Sequence, residues 1–239
     1  MGIPSDLEIA LFAFGPLGAL RRRGAFRDAL TREITEIAQW GGDDVVFQLE
    51  CPVELIMLAT VPRWLRPALA RLLLRPLMRL VTAAPPGSRF GVHLCMGDLN
   101  HRAMRHLRDT GPIVVAAREL LRAWPLDRRL EFIHFPLAAG ERPAPVAARF
   151  YVQLRHLRTA PTSTRLIAGL VHEGQELTDQ RTVLRVVETA LKRPVDVAPA
   201  CGLGRRSPEE AAAVLSRAVP LGLRLAPWAG GRVTDAEMD

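Results

Sequence analysis

At 239 residues and 49% hydrophobic content, the chain has enough apolar mass for one large core. Three cysteines are too few for a disulfide framework, and no uncharged apolar stretch reaches the length of a bilayer span. The formal charge of +7 comes almost wholly from arginine, with Lys192 the one lysine, and few aromatics lie between the basic residues, so no nucleic-acid partner is expected.

The first residues, Met1 to Asp6, are broken by Pro4 and Asp6 and do not form a secretion leader, so a soluble, cytoplasmic protein without a membrane partner is expected. Leu7-Glu-Ile-Ala-Leu-Phe-Ala-Phe14 is expected to be the first strand, closed by Gly15-Pro16. Arg27 to Trp40 carries apolar residues at Leu30, Ile34, Ile37 and Ala38, a helical period stopped by Gly41-Gly42. Val45 to Glu50 follows as the second strand, ended by Cys51-Pro52.

Glu54 to Val81 is helical in composition but punctuated by Pro62, Pro67 and Pro76, which predicts two or three helical pieces. Within it, Arg63 to Arg79 repeats arginine among leucines; such a face could lie on a membrane surface, and the plainer reading is a helix whose arginine stems cover a core face. After the loop Ala84-Pro-Pro-Gly-Ser88 comes the third strand, from Phe90 to Cys95. Short helices are expected over Asn100 to Arg108 and Ile113 to Trp124, the second with Pro112 near its first position.

Leu130 to Phe135 is the fourth strand, Ala147 to Arg158 a helix and Arg165 to His172 the fifth strand. A helix from about Thr178 to Leu191 leads to the sixth strand, Val195 to Ala200. Ser207-Pro-Glu-Glu210 joins a serine N-cap, a proline at the first helical position and a glutamate placed for a capping box. Residues 1–225 are expected to form one domain, and Ala226 to Asp239, Gly-rich and then acidic, a flexible tail.

Strands alternating with helices imply parallel βα units, and their near-continuous apolar character implies burial on both faces. The expected fold is therefore α/β of the (β/α)8 barrel type. Six units can be counted where a closed barrel needs eight.

Polar residues gather at the ends of these strands. His93 and Cys95 are two apart on a strand and so face one point, and Cys201 ends another apolar run at a glycine-bearing loop. A mixed nitrogen and sulfur set selects zinc over magnesium or calcium. For a fourth ligand the fourth strand offers His134 and Glu131, which face opposite sides; His134, nearer the C-terminal end, is preferred and Glu131 is the fallback. The competing reading makes Cys95 and Cys201 small buried hydrophobes and His93 a satisfied core histidine.

His93-Leu-Cys95-Met-Gly-Asp98-Leu-Asn100 resembles the His-x-Cys-x-x-Asp-x-Asn segment of the cobalamin-independent methionine synthase family, and Cys201-Gly-Leu-Gly-Arg-Arg206 its Cys-Gly-Leu-x-x-Arg segment. Gln48-Leu-Glu50-Cys-Pro52 is similar to that family's Gln-Ile-Asp-Glu-Pro strand, and Gly15-Pro16 to its Thr-Gly-Pro turn. The resemblance implies a zinc-bearing catalytic barrel that transfers a methyl group from a folate to the thiol of homocysteine. His93, Cys95 and Cys201 would hold the metal, with His134 where the family has a glutamate. Glu50 would grip the substrate's ammonium group, and His172 would stand near the family's proton-donating histidine. Asp98 is grouped with Glu50 as substrate-facing, its alternatives being a partner that orients His93 or the cap of the following helix. Arg205 and Arg206 would meet the folate's anionic tail or lie in a solvated loop.

The resemblance begins at the family's third barrel strand, so the first two strands are expected to be absent. Open edges at Leu7 and Val195 would leave the chain alone oligomeric or poorly stable. Beside the enzyme stands a second reading, a non-catalytic or partner-dependent barrel remnant that binds zinc or nothing. A porphyrin-decarboxylase type of barrel ranks last, since it needs no such cysteine pair.

Overall fold

The computed structural model describes residues 1–222, the side chain of Leu20 apart. The tail expected over 226–239 lies outside the described residues. Six parallel strands form one sheet in sequential order: β1 (Gly2–Pro4), β2 (Val46–Cys51), β3 (Arg89–Leu94), β4 (Arg129–Pro136), β5 (Arg165–Val171) and β6 (Asp196–Pro199). Between and after them run α1 (Asp6–Gly41), α2 (Pro52–Thr60), α3 (Arg66–Ala83), α4 (Gly111–Ala123), α5 (Leu177–Leu191) and α6 (Pro208–Gly222). The fold is α/β, an incomplete barrel of six βα units.

One face of each strand packs on the helices. Phe47, Leu49, Phe90, Val92, Ile133 and Phe135 alternate with the inward residues and are shut away from solvent, and the Phe47 and Phe90 rings stand 5.6 Å apart. The other face carries Glu50, His93 and His134, which the register places side by side on three neighbouring strands. That row is what the barrel brings to its C-terminal end.

The first expected strand is a helix. Leu7 to Phe14 is apolar apart from Glu8 and shows no sustained alternation, so length and flanks have to decide between strand and helix. Here the flank decides: Ser5 is extended, and its hydroxyl accepts from the Glu8 amide at 3.1 Å, an N-cap that starts α1 at Asp6. Leu7 and Ala10 then face inward while Phe12 stays exposed. Gly15 and Pro16 mark a kink within α1 and close no strand; Gly15 has φ 66°, a left-handed conformation that other residues rarely take. The first strand of the sheet is instead the three-residue β1.

Two further expectations change. Residues 100–108 form no helix: Asn100 and His101 both have positive φ, and Leu99 pairs with Arg102 in an antiparallel bridge, so a tight reverse turn stands there. Residues 147–158 form two 3-10 segments, Ala148–Phe150 and Val152–Leu157, wrapped around the fully buried Tyr151.

Of the three prolines in the basic stretch, Pro62 separates α2 from the next turn and Pro67 sits in the first turn of α3, but Pro76 lies inside α3 without ending it. An interior proline costs about 3 kcal/mol. Burial of Leu73, Leu74, Leu77, Leu80 and Val81 on the same helix outweighs that, at roughly 1.5–3 kcal/mol each. Arg71, Arg75 and Arg79 lie on its exposed side. Among the described residues no helix is long and apolar enough to cross a membrane. At α6 the capping box forms as the spacing predicts: the Glu210 amide donates to the Ser207 hydroxyl at 3.2 Å, and the Ser207 amide to the Glu210 carboxylate at 2.9 Å.

Candidate metal centre

Strand parity aims His93 inward, and the chain leaves β3 one residue before Cys95. Cys201 arrives from just beyond β6, 106 residues later, and its sulfur lies 3.6 Å from that of Cys95. Donor atoms of His93, Cys95 and Cys201 all fall within 4.8 Å of one another. The Cys95 thiol donates to the Cys201 sulfur. Cys201 is pulled well below the usual thiol range by the Cys95 S–H and by His93, whereas Cys95 is pushed up by that same bond and by burial.

This trio fits zinc. Tetrahedral zinc with sulfur ligands at about 2.3 Å separates two sulfurs by roughly 3.8 Å. The sulfurs stand close to that spacing, one of them already favours the thiolate, and one imidazole completes an N,S,S set.

His134, expected as the fourth ligand, is not part of the trio. Its Nδ1 lies 2.7 Å from the Nδ1 of His93, and the rings are 4.5 Å apart. Burial and the neighbouring His93 push His134 down to about 3, the Pro199 main chain favouring the proton only in part. Glu131 is no substitute: it sits at the start of β4, ion-paired to Arg89 at 2.7 Å and Arg129 at 3.2 Å, with the length of the strand between it and the cysteines.

His172, expected near the proton-donating position, is held by main-chain groups. The Gly174 amide donates to its Nδ1 at 2.9 Å and its Nε2 donates to the Gly140 carbonyl at 3.1 Å, so both nitrogens are spent on main chain. Burial holds it below the usual histidine range, consistent with a neutral, structural ring. Glu50 is at the site, with Oε2 3.6 Å from His93 Nε2 and Oε1 accepting from the Gln48 amide group at 2.6 Å. Asp98 neither orients His93 nor caps a helix, since no helix follows; it is buried with both carboxylate oxygens unpartnered, and burial and Cys201 push it up. Arg206 is not in a solvated loop but buried against Glu173 at 3.1 Å.

A cavity of about 260 Å³ opens beside the trio, lined by Glu8, Glu50, Asp98, Cys95 and Cys201, with Phe12, Leu99 and Met104 also on its walls. Glu8 is the residue the sequence reading missed. Its Oε2 is buried without a partner, and burial, then Glu50, raise it to about 6. The Ser5-x-x-Glu8 spacing was the available signal, since it marks a helix start and would have turned Glu8 off a strand.

Cys51, the third cysteine, is a core residue with its thiol pushed up by burial. A second group of donors, His101, Glu173 and Glu210, lies within 4.8 Å of one another. Glu173 there is already bonded by Arg206 and His101, and Glu210 by the Ser207 amide, so little charge is left for a cation.

No protein-family model and no curated protein matches the chain. Among solved structures it is similar to a B12-independent methionine synthase from Shewanella sp. W3-18-1 in complex with selenomethionine, with a TM-score of 0.57 over 92% of this chain at 13% identity. The match spans 60% of that enzyme's chain. At a distance, then, this chain shares part of the fold of that enzyme.

Proposed function

We propose that the chain is a zinc-dependent methyltransferase that methylates a thiol such as homocysteine, with a folate-type donor. The observation that carries this reading is the meeting of His93, Cys95 and Cys201 from segments far apart in sequence. Zinc held by His93, Cys95 and Cys201 would lower the pKa of an incoming thiol and make it a nucleophile at neutral pH.

The chain's own residues supply the rest. Glu8 and Glu50 place two carboxyl groups in the cavity beside the trio, a setting for the ammonium group of an amino acid substrate. Phe12, Leu99 and Met104 narrow the solvent around the sulfurs. Asp98, raised by burial and by Cys201, is the carboxyl group able to hold the proton released by the thiol.

A second reading, a partner-dependent barrel remnant, is favoured by the sheet itself: among the described residues β1 pairs only with β2 and β6 only with β5. Zinc analysis of wild type beside Cys95→Ser and Cys201→Ser tests the first step, with near one zinc per chain expected and loss in both variants. Methyl transfer from methyltetrahydrofolate to homocysteine by the zinc-loaded chain tests the second. Zinc without transfer would move the reading to the remnant, and no zinc in fresh wild type would remove the metal reading.

A further inference from the structure

We infer that His134 is a positioning residue outside the coordination sphere, which accepts the Nδ1 proton of His93 and so turns the His93 Nε2 lone pair toward the metal. This rests on the zinc reading above, and it alters the centre: three protein ligands, with one position left open on the Glu8 and Glu50 cavity.

The geometry leaves His134 little choice. Two imidazole nitrogens at 2.7 Å must have one proton between them, one ring donating and the other accepting. A neutral imidazole that binds a metal through one nitrogen carries its proton on the other. If His93 presents Nε2 to the metal, its Nδ1–H is the donor and His134 Nδ1 the acceptor. Ligating histidines generally pass their second N–H to a carboxylate or a carbonyl, which fixes tautomer and ring angle. Here an imidazole on the next strand takes that place, because the register sets His93 directly beside His134.

The other edge of the His134 ring is hemmed in by main chain. Its Nε2 faces the β5 backbone, where a Cβ on Gly169 would come within 2.9 Å of it and 3.0 Å of Ala200 Cα. Nε2 is buried there without a hydrogen-bond partner. Glu50, with its Oε2 3.6 Å from His93 Nε2, borders the open position but is not among the residues whose donor atoms all lie within 4.8 Å of one another.

Cobalt(II), which reports its ligands through d–d and thiolate charge-transfer bands, is the probe. His134→Ala is expected to weaken cobalt binding about 10- to 100-fold while the saturated spectrum keeps its band positions and intensities. His134→Asn, whose amide oxygen can accept from His93 Nδ1–H, is expected to recover most of that affinity, and it serves if the alanine variant does not fold. A saturated His134→Asn spectrum with shifted d–d bands would make His134 a ligand and overturn the inference. Unchanged affinity in His134→Ala would make it a bystander and overturn it as well. The zinc reading fails separately: wild type that takes up neither cobalt nor zinc removes the metal centre and this inference with it.

Discussion

Cys95 Sγ and Cys201 Sγ lie 3.6 Å apart, brought together by the register of the three strand pairings that lead from β3 to β6. Without a cation the pair is held by one S–H···S hydrogen bond in a mostly buried setting. A bound cation therefore ties β3 to the end of β6 and ought to appear in stability. At zinc concentrations 100-fold above the dissociation constant the gain is about 2.7 kcal/mol. Zinc added to chelator-treated wild type is expected to raise the thermal midpoint, and to leave Cys95→Ser and Cys201→Ser unmoved. A wild-type midpoint indifferent to zinc would count against the centre.

A buried acid shapes the pH dependence of stability. Glu54 is 1% exposed, its Oε2 has no partner, and burial raises it to about 7 from 4.5. Above its unfolded value the folded state keeps a proton that the unfolded chain has released. Its contribution is thus fully present below about pH 4.5 and is lost as pH rises toward 7. Glu54→Gln, neutral at every pH, is expected to match wild type near pH 5 and to exceed it by about 1–3 kcal/mol at pH 8. Urea midpoints at the two pH values check this, and a wild type more stable than the variant at pH 8 would refute it.

How far the sequence reached depended on the range of the forces involved. His93, Cys95 and Cys201 were legible because strand parity and strand-to-loop position are local properties. The same parity put His134 on the inner face, but whether it faced the metal or His93 turned on the β3–β4 register and on space beside Gly169. His172 looked free in sequence and was not, because its partners are main-chain groups of Gly140 and Gly174. At α1 the apolar run Leu7 to Phe14 outweighed the short polar signal Ser5-x-x-Glu8, and with it went an acidic neighbour of Glu50. Asn100 and His101 needed two successive left-handed residues, which composition alone does not announce.

Gly169 offers a test of the inner face. Any Cβ there would lie 2.9 Å from the Phe135 carbonyl and 3.0 Å from Ala200 Cα, both main-chain atoms that cannot rotate away. Overpacking of this kind costs about 1–3 kcal/mol. Gly169→Ala is expected to lower the urea midpoint accordingly and to displace His134, weakening cobalt affinity as well. Full retention of stability and affinity would show that β5 yields more freely than its packing suggests.

The sheet edges carry the last expectation. β1 has one partner strand and β6 one among the described residues, so each presents backbone donors and acceptors on its outer side. Pro4 and Pro199 remove an N–H at the end of each edge, a partial block to further pairing. Three residues at β1 and four at β6 leave short templates, which favour a defined contact between copies over open-ended stacking. The chain is expected to self-associate, with an apparent mass that rises with concentration in sedimentation velocity. Gly2→Pro, removing a further donor from β1 without adding bulk to the core face, is expected to weaken that association. A monomer at every concentration, with a sharp and high thermal transition, would show that the six strands are sufficient as they stand.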